Sequence, residues 1–208
     1  MEDRFSTIRA RVRAELKVRG SRFIGTALPV NGKEEAEAAV GEIRKEYHNA
    51  THNCYAYRLG AGGEESRFHD DGEPSGSAGR PILGALDRAG VTNLVVVVTR
   101  YFGGTKLGVG GLARAYGGAA SLVLERAERE TRYLTSTLQL SVPHACVGEV
   151  MRAVSRFGAR IGDTTYDEEV HLRLEIRTSK LEEVKAGLME CTAGNIRFSP
   201  GPGKEGQL

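Results

Sequence analysis

The chain has 208 residues, of which 40% are hydrophobic and 27% charged, with a formal net charge of +2. This length supports one large or two small hydrophobic cores, and the composition excludes disordered and fibrous classes. The charge is too small to mark nucleic-acid binding by itself, and the strongest apolar run, Leu94-Val95-Val96-Val97-Val98, falls far short of the roughly 20 residues of a membrane helix.

In chain order, Ala10–Arg19 and Arg22–Val30 read as a hairpin around Gly20-Ser21. Asn31-Gly32 is a turn before a helix from Lys33 to about Tyr47, with Ala36, Ala39, Val40 and Ile43 on one side. Asn53–Leu59 reads as a strand, and residues 60–78 as one long polar loop. Ala78–Ala89 is expected to be helical, with Pro81 tolerated in its first turn. Thr92–Thr99 is a buried central strand, since a nearly continuous valine run needs cover on both faces. Leu112, Tyr116, Ala119 and Val123 recur at helical spacing, in a helix reaching about Arg129.

From Leu134 the texture changes. Thr135–Val142, Arg160–Tyr166, Val170–Arg177 and Asn195–Ser199 read as strands, and Ala145–Phe157 and Leu181–Cys191 as helices. That βαββαβ order is the split βαβ pattern. Two domains are therefore expected, residues 1–133 and 134–200, followed by a disordered tail, 201–208. The class is α+β, with a mixed sheet in the first domain.

Cys54, Cys146 and Cys191 are single and widely spaced, which reads as buried free thiols rather than a disulfide framework or zinc site. The opening Met1-Glu2-Asp3-Arg4-Phe5 has no basic-then-apolar signal pattern, so a cytoplasmic location is expected, with no membrane partner.

Two polar, glycine-rich segments flank the valine strand. One is acidic, His69-Asp70-Asp71-Gly72-Glu73-Pro74-Ser75-Gly76-Ser77-Ala78-Gly79-Arg80-Pro81. The other is basic, Arg100-Tyr101-Phe102-Gly103-Gly104-Thr105-Lys106-Leu107-Gly108-Val109-Gly110-Gly111, and runs into a helix. A helix start carries partial positive charge and free N–H groups, so Lys106 and Arg114 are unfavourable there unless an anion is present. Gly103, Gly104, Gly108, Gly110 and Gly111 let backbone amides approach that anion. The anion is either a phosphate or the chain's own Asp70, Asp71 and Glu73. As a nucleotide motif the segment is weak, lacking GxxxxGK[ST] and the GxGxxG spacing.

Asp70, Asp71 and Glu73 lack the spacing of a calcium loop, so no metal and no cofactor is expected. Ser75 or Ser77 is expected to cap the helix near Ala78. Cys54 with His48, His52 and His69 has no accompanying oxyanion motif, so His52 reads as a structural hydrogen-bonding residue and no catalytic residue is assigned. Tyr55 and Tyr57 read as core. Tyr101 and Phe102 are either core or surfaces on which bases stack.

Several of these runs together resemble one family. Ala50-Thr51-His52-Asn53-Cys54-Tyr55-Ala56-Tyr57-Arg58, Asp70-Asp71-Gly72-Glu73-Pro74-Ser75-Gly76 with Ala78-Gly79, and Val97-Val98-Thr99-Arg100-Tyr101-Phe102-Gly103-Gly104-Thr105 through Tyr116 are similar to the IMPACT family in its bacterial form. Ser21-Arg22-Phe23-Ile24-Gly25 is similar too, so the likeness spans roughly residues 15–125. Ser77 stands where threonine is expected. The resemblance implies a ribosomal-protein-S5-domain-2-like first domain and a ferredoxin-like second domain similar to the C-terminal domain of elongation factor G.

Eukaryotic members are implicated in translational control, through a partner they reach partly by an additional N-terminal domain; none is expected here, so that partner is not carried over. For bacterial members the resemblance implies a translation- or RNA-related role. The leading expectation is a non-enzymatic RNA- or ribosome-binding regulator of translation. Arg100, Lys106 and Arg114 would contact phosphate, and Tyr101 and Phe102 would stack or support the loop. His52, Asp70, Asp71, Glu73, Ser75 and Arg80 complete the motif surface. One alternative is an enzyme acting on a nucleotide or phosphorylated small molecule through the glycine-rich anion site. Another is a protein-interaction module for a translation-related partner. No oligomeric state follows from the sequence.

Overall fold

A computed structural model describes residues 3–200; the expected tail at 201–208 lies outside them. The class is α+β. Among the described residues, chain contacts divide it into two compact units, one comprising Phe5–Arg132 and the other residues 133–200 together with Asp3 and Arg4. The N-terminal residues join the second unit because Asp3 accepts hydrogen bonds from the Ser179 amide and hydroxyl, 3.2 and 2.5 Å, and its carbonyl accepts from the Leu134 amide, 2.7 Å.

In the first unit β1 (Arg4–Ile8) begins the chain, and β2 (Val12–Val18) and β3 (Ser21–Pro29) follow as the expected hairpin. Arg19 and Gly20 both have positive φ, 46° and 82°, as a two-residue turn matched to strand twist requires. Then come α1 (Lys33–Glu46), β4 (His52–Leu59), β5 (Glu65–His69), α2 (Gly79–Ala89), β6 (Leu94–Tyr101), α3 (Gly108–Arg126) and β7 (Arg129–Tyr133). Five strands form a sheet in the order β2-β3-β6-β4-β5, and β1 pairs with β7.

Every pair in the five-stranded sheet is antiparallel, which corrects the expected mixed sheet. β3 and β4, joined through α1, run parallel to each other, but β6 inserts between them and reverses both contacts. The valine strand is central as expected. Leu94, Val96 and Val98 pack with Ile82 and Leu86 of α2 and Tyr116 and Val123 of α3. Val95 and Val97 pack on the opposite face with Ala36, Val40 and Ile43 of α1. Full burial of each such aliphatic side chain contributes roughly 1.5–3 kcal/mol, enough for β6 to fix the sheet's centre.

The expected long loop at 60–78 instead contains β5, a strand whose five residues are all exposed. Its pairing with β4 runs from Tyr55↔His69 to Leu59↔Glu65. This brings Asp70 to the end of β4, where the acidic segment begins.

The second unit runs β8 (Thr135–Val142), α4 (Val147–Phe157), β9 (Arg160–Tyr166), β10 (Val170–Arg177), α5 (Leu181–Cys191) and β11 (Arg197–Pro200). Its sheet order is β11-β8-β10-β9, all antiparallel. The register Val170↔Val142, Leu172↔Leu140, Leu174↔Leu138 puts every apolar residue on the face that packs with Val150, Val154, Val184 and Leu188 of the two helices. The first turn of the expected helix at Ala145 is a separate 3₁₀ turn, His144–Cys146. Among the described residues, no helix is long and apolar enough to cross a membrane.

Candidate functional site

The acidic segment is organised by its own carboxylates. Asp70 Oδ2 accepts from the Gly76 amide at 2.8 Å, and Oδ1 from the Ala78 and Gly79 amides at 3.0 and 2.8 Å. Asp70 therefore caps α2 from eight residues upstream. This corrects the expected serine cap: Ser77 Oγ donates back to the Pro74 carbonyl at 2.6 Å, and α2 has no side-chain cap at the preceding residue. Burial alone would raise the Asp70 pKa, but the amides of Gly76, Gly79 and Ala78 together reverse this and hold it below the usual value. Ser75 and Arg80 are exposed.

Asp71, at φ 47°, accepts from the Asn53 amide at 2.7 Å and pairs with Arg44 at 2.6 Å. Its carbonyl lies 2.8 Å from His52 Nδ1. A carbonyl can only accept, so Nδ1 carries the proton and Nε2 faces Glu73 Oε1, 3.8 Å away. His52 is thus the structural hydrogen-bonding residue expected.

Glu73 and Arg100 lie inside the unit, 8% and 5% exposed. Arg100 Nη1 donates to Glu73 Oε1 at 2.6 Å, and the Tyr116 hydroxyl donates to the same oxygen at 2.7 Å. The Arg100 guanidinium lies 5.5 Å from the Phe23 ring and 5.4 Å from that of Phe102. Its Nε is buried with no hydrogen-bond partner. Of the three cations expected to meet phosphate, Arg100 is therefore held by an internal carboxylate, and the two loops pair with each other at this one point.

In the sequence Tyr116 stands in a helical stripe and at the end of the family run, with no role of its own. A buried tyrosine needs a partner for its hydroxyl, and that was the signal for an acceptor nearby. Burial, with Cys54 and Glu73 beside it, pushes the phenol above its ordinary range.

Cys54 is fully buried, and its Sγ donates to the Asp70 carbonyl at 3.0 Å. Burial raises the thiol to about 12, so it is protonated and unreactive at neutral pH. In a thiol titration at pH 8 with a disulfide reagent, Cys54 is expected to react only after denaturant is added. Cys146 and Cys191, both partly exposed, are expected to react in the folded protein. Rapid labelling of native Cys54 would contradict the packing.

The basic segment is different. Gly103 presses against the hairpin turn: a Cβ there would sit 1.9 Å from the Gly20 carbonyl carbon. Its amide donates to Ser21 Oγ at 3.1 Å, and the Phe102 amide donates to Thr51 Oγ1 at 3.1 Å. Tyr101 is partly buried, with its hydroxyl on Asn49 Oδ1 at 2.8 Å, while Phe102 is 48% exposed.

Gly108 has φ 70°, a value costly to any residue with a Cβ, and it opens α3. The helix start has no side-chain cap and no acidic residue in its first turn. Gly104, Lys106, Gly110 and Arg114 are exposed and Gly111 is partly so. Neither Lys106 nor Arg114 lies within salt-bridge distance of a carboxylate among the described residues.

Between the two segments lies a half-open cavity of about 350 Å³. Thr51, His52, Glu73 and Arg100 supply polar groups, Phe102, Leu107, Val109 and Leu112 form much of its wall, and Lys106 lines it on the side of the helix start. Sequence reasoning missed Leu107, Val109 and Leu112 as wall residues, because core and cavity positions share one helical spacing.

These features define an α+β protein with an open, basic helix start beside a buried ion pair. A profile of the Impact N-terminal domain matches residues 19–124, which contain the whole site, and a domain of unknown function (DUF1949) matches residues 140–195. The chain is 32% identical to the IMPACT family member YvyE of Bacillus subtilis, over 98% of this chain and 92% of that protein. It is 35% identical to the IMPACT family member YigZ of Escherichia coli, over 88% of this chain and 90% of that one. A crystal structure described as that of a hypothetical protein superposes with a TM-score of 0.73 at 29% identity, covering 98% of this chain and 100% of that one. The chain belongs to the IMPACT family.

Proposed function

We propose that this chain is a non-enzymatic, cytoplasmic RNA- or ribosome-associated protein that acts in the regulation of translation, and that it meets RNA phosphate at the start of α3. The observation that carries this reading is the helix start itself. A 19-residue helix begins with no cap and no acidic residue in its first turn, beside Lys106 and Arg114. The carboxylates that could have neutralised these cations are engaged elsewhere: Asp70 by three amides, Asp71 by Arg44, Glu73 by Arg100 and Tyr116. The same engagement weighs against the enzyme alternative, which needed one of those acids as a base or magnesium ligand. The first unit is read as S5-domain-2-like. The second is read as ferredoxin-like, from its order β11-β8-β10-β9. The domain boundary is placed at 133/134.

Fluorescence anisotropy with single-stranded RNA tests the reading. Each phosphate contact contributes about 0.7 to the slope of log affinity against log salt for a single strand. The double variant Lys106→Ala/Arg114→Ala is expected to weaken binding and to reduce that slope by about 1.4. Binding that ignores salt, or a slope unchanged in the double variant, overturns the proposal.

A further inference from the structure

We propose that the cavity beside α3 is a recognition pocket for one nucleoside phosphate, with the base inside and the phosphate at the rim. The rim part rests on the proposed function above; the base part stands on the cavity itself.

The floor chooses the chemistry. Glu73 is buried there in an ion pair with Arg100 at 2.6 Å, so a phosphate entering the cavity meets no uncommitted cation on the floor and must compete with that carboxylate for the guanidinium. The uncommitted positive groups, Lys106 and the α3 amides, lie on the helix-start side of the lining, which places the anion at that rim. What enters must be neutral and polar on one edge. Among the described residues, the polar groups around the Glu73 carboxylate, Arg100, Tyr116 and His52, all face Oε1, which leaves Oε2 as an acceptor. Among the described residues the Arg100 guanidinium makes one hydrogen bond, from Nη1; its Nε is buried without a partner, and Nη2 is the donor left for a ligand. The floor therefore offers an acceptor beside a donor, and nucleobase edges present donors and acceptors side by side. An aliphatic side chain in the same place would leave both unmatched, at the cost that buried unpaired polar groups carry.

The walls fit a flat apolar face. Phe102 is half exposed at the lip, held by its own amide on Thr51 Oγ1 and by the next amide on Ser21 Oγ. Its ring already lies near the Arg100 guanidinium at 5.4 Å. Leu107, Val109 and Leu112 complete the apolar lining. At about 350 Å³ the cavity is at the small end of ligand pockets, large enough for a single base. The source of that unit is either an unstacked residue of RNA or a free mononucleotide.

Two variants spare the rim charges. Val109 is 59% exposed, so Val109→Trp is expected to fold while its indole fills the mouth, and Phe102→Ala removes the stacking face. Affinities are measured for single-stranded RNA of about eight nucleotides carrying each base in turn, and for a ribose-phosphate strand of equal length without bases. The same proteins are heated with each 5′-mononucleotide.

The expected result is that at least one base-bearing strand binds wild type about 10- to 100-fold tighter than the abasic strand, the range base stacking provides. The gap should close in both variants while abasic binding is unchanged. Equal, salt-sensitive binding of all strands by wild type overturns the pocket and leaves the phosphate surface standing. A base preference that survives both variants also overturns it. If no strand binds, but a mononucleotide raises the Tm of wild type and not of Phe102→Ala or Val109→Trp, the pocket stands and the RNA reading falls. No response to any strand or mononucleotide overturns both. Should Val109→Trp not fold, Phe102→Ala decides.

Discussion

Glu73→Ala is expected to destabilise the first unit by about 3–5 kcal/mol, the cost of stranding a buried charge. Arg100 is 5% exposed, and among the described residues Glu73 provides its only ion pair. The Tyr116 hydroxyl loses its acceptor at the same time. Glu73→Gln keeps an oxygen for both donors and should lose clearly less. Glu73→Ala/Arg100→Met removes both charges and should recover part of the loss, because an ion pair replaced by apolar groups is often neutral. Urea denaturation measures all three. A loss below about 1 kcal/mol in Glu73→Ala, the level of an exposed pair, would mean that water reaches the guanidinium and the buried floor does not exist.

The second large effect is expected at Asp70. Hydrogen bonds to a charged acceptor contribute about 1.5–3 kcal/mol each. Asp70 accepts three, but the exposed loop can partly relax to water. Asp70→Asn retains one acceptor oxygen and loses the charge facing the start of α2, so a loss of about 2 kcal/mol at pH 7 is expected.

The pH dependence has a definite sign. The Asp70 pKa is lowered in the folded chain, so the carboxylate contributes stability above the usual aspartate value of about 3.9, and that stability is lost as pH falls through the lower folded value. The difference between wild type and Asp70→Asn should stay constant from pH 7 to about 5 and shrink below about 4. A difference that grows on acidification would contradict the assigned role.

The two effects explain a division of labour. The acids build the scaffold, whereas the exposed cations at the start of α3 meet no carboxylate among the described residues. Gly103 pins the basic loop to the hairpin turn, so the loop's position is inherited from β2 and β3. A helix start with free N–H groups next to Lys106 and Arg114 is thereby presented in a fixed place, ready for an anion.

Much of this was legible in the chain. Leu138, Leu140 and Val142 alternate against Val170, Leu172, Leu174 and Ile176, and period-two patterning gives strand and buried face together. The valine run announced a strand covered on both sides, and Lys33–Glu46 showed its buried stripe. β5 was not legible, because Glu65 to His69 are all exposed and an edge strand without a buried face leaves no periodicity. β1 and β7 were missed for a related reason: they pair across more than a hundred residues, and Arg129–Tyr133 has no fully buried side chain.

At the site, the sequence offered two partners for the basic segment and could not choose. The internal carboxylate holds for one residue of the segment. Arg100 meets Glu73, which is 27 residues away, while Lys106 and Arg114 meet no carboxylate among the described residues. The choice depends on where each side chain sits: Arg100 is in β6, where register set by long-range pairing turns it inward, while Lys106 lies in the loop and Arg114 on the exposed side of α3. The cap was misassigned for a similar reason. Serine is the local expectation, but β5 turns Asp70 onto the same amides with a full negative charge.

The most direct measurement is ultraviolet cross-linking of the protein to single-stranded RNA, with the adducts mapped by mass spectrometry. Adducts confined to the stretch from Arg100 to Arg114, and lost at high salt, are the expected result. Adducts that map elsewhere on the chain, or none under conditions where a known RNA-binding protein cross-links, would contradict the assignment of the α3 start as the RNA-contacting surface.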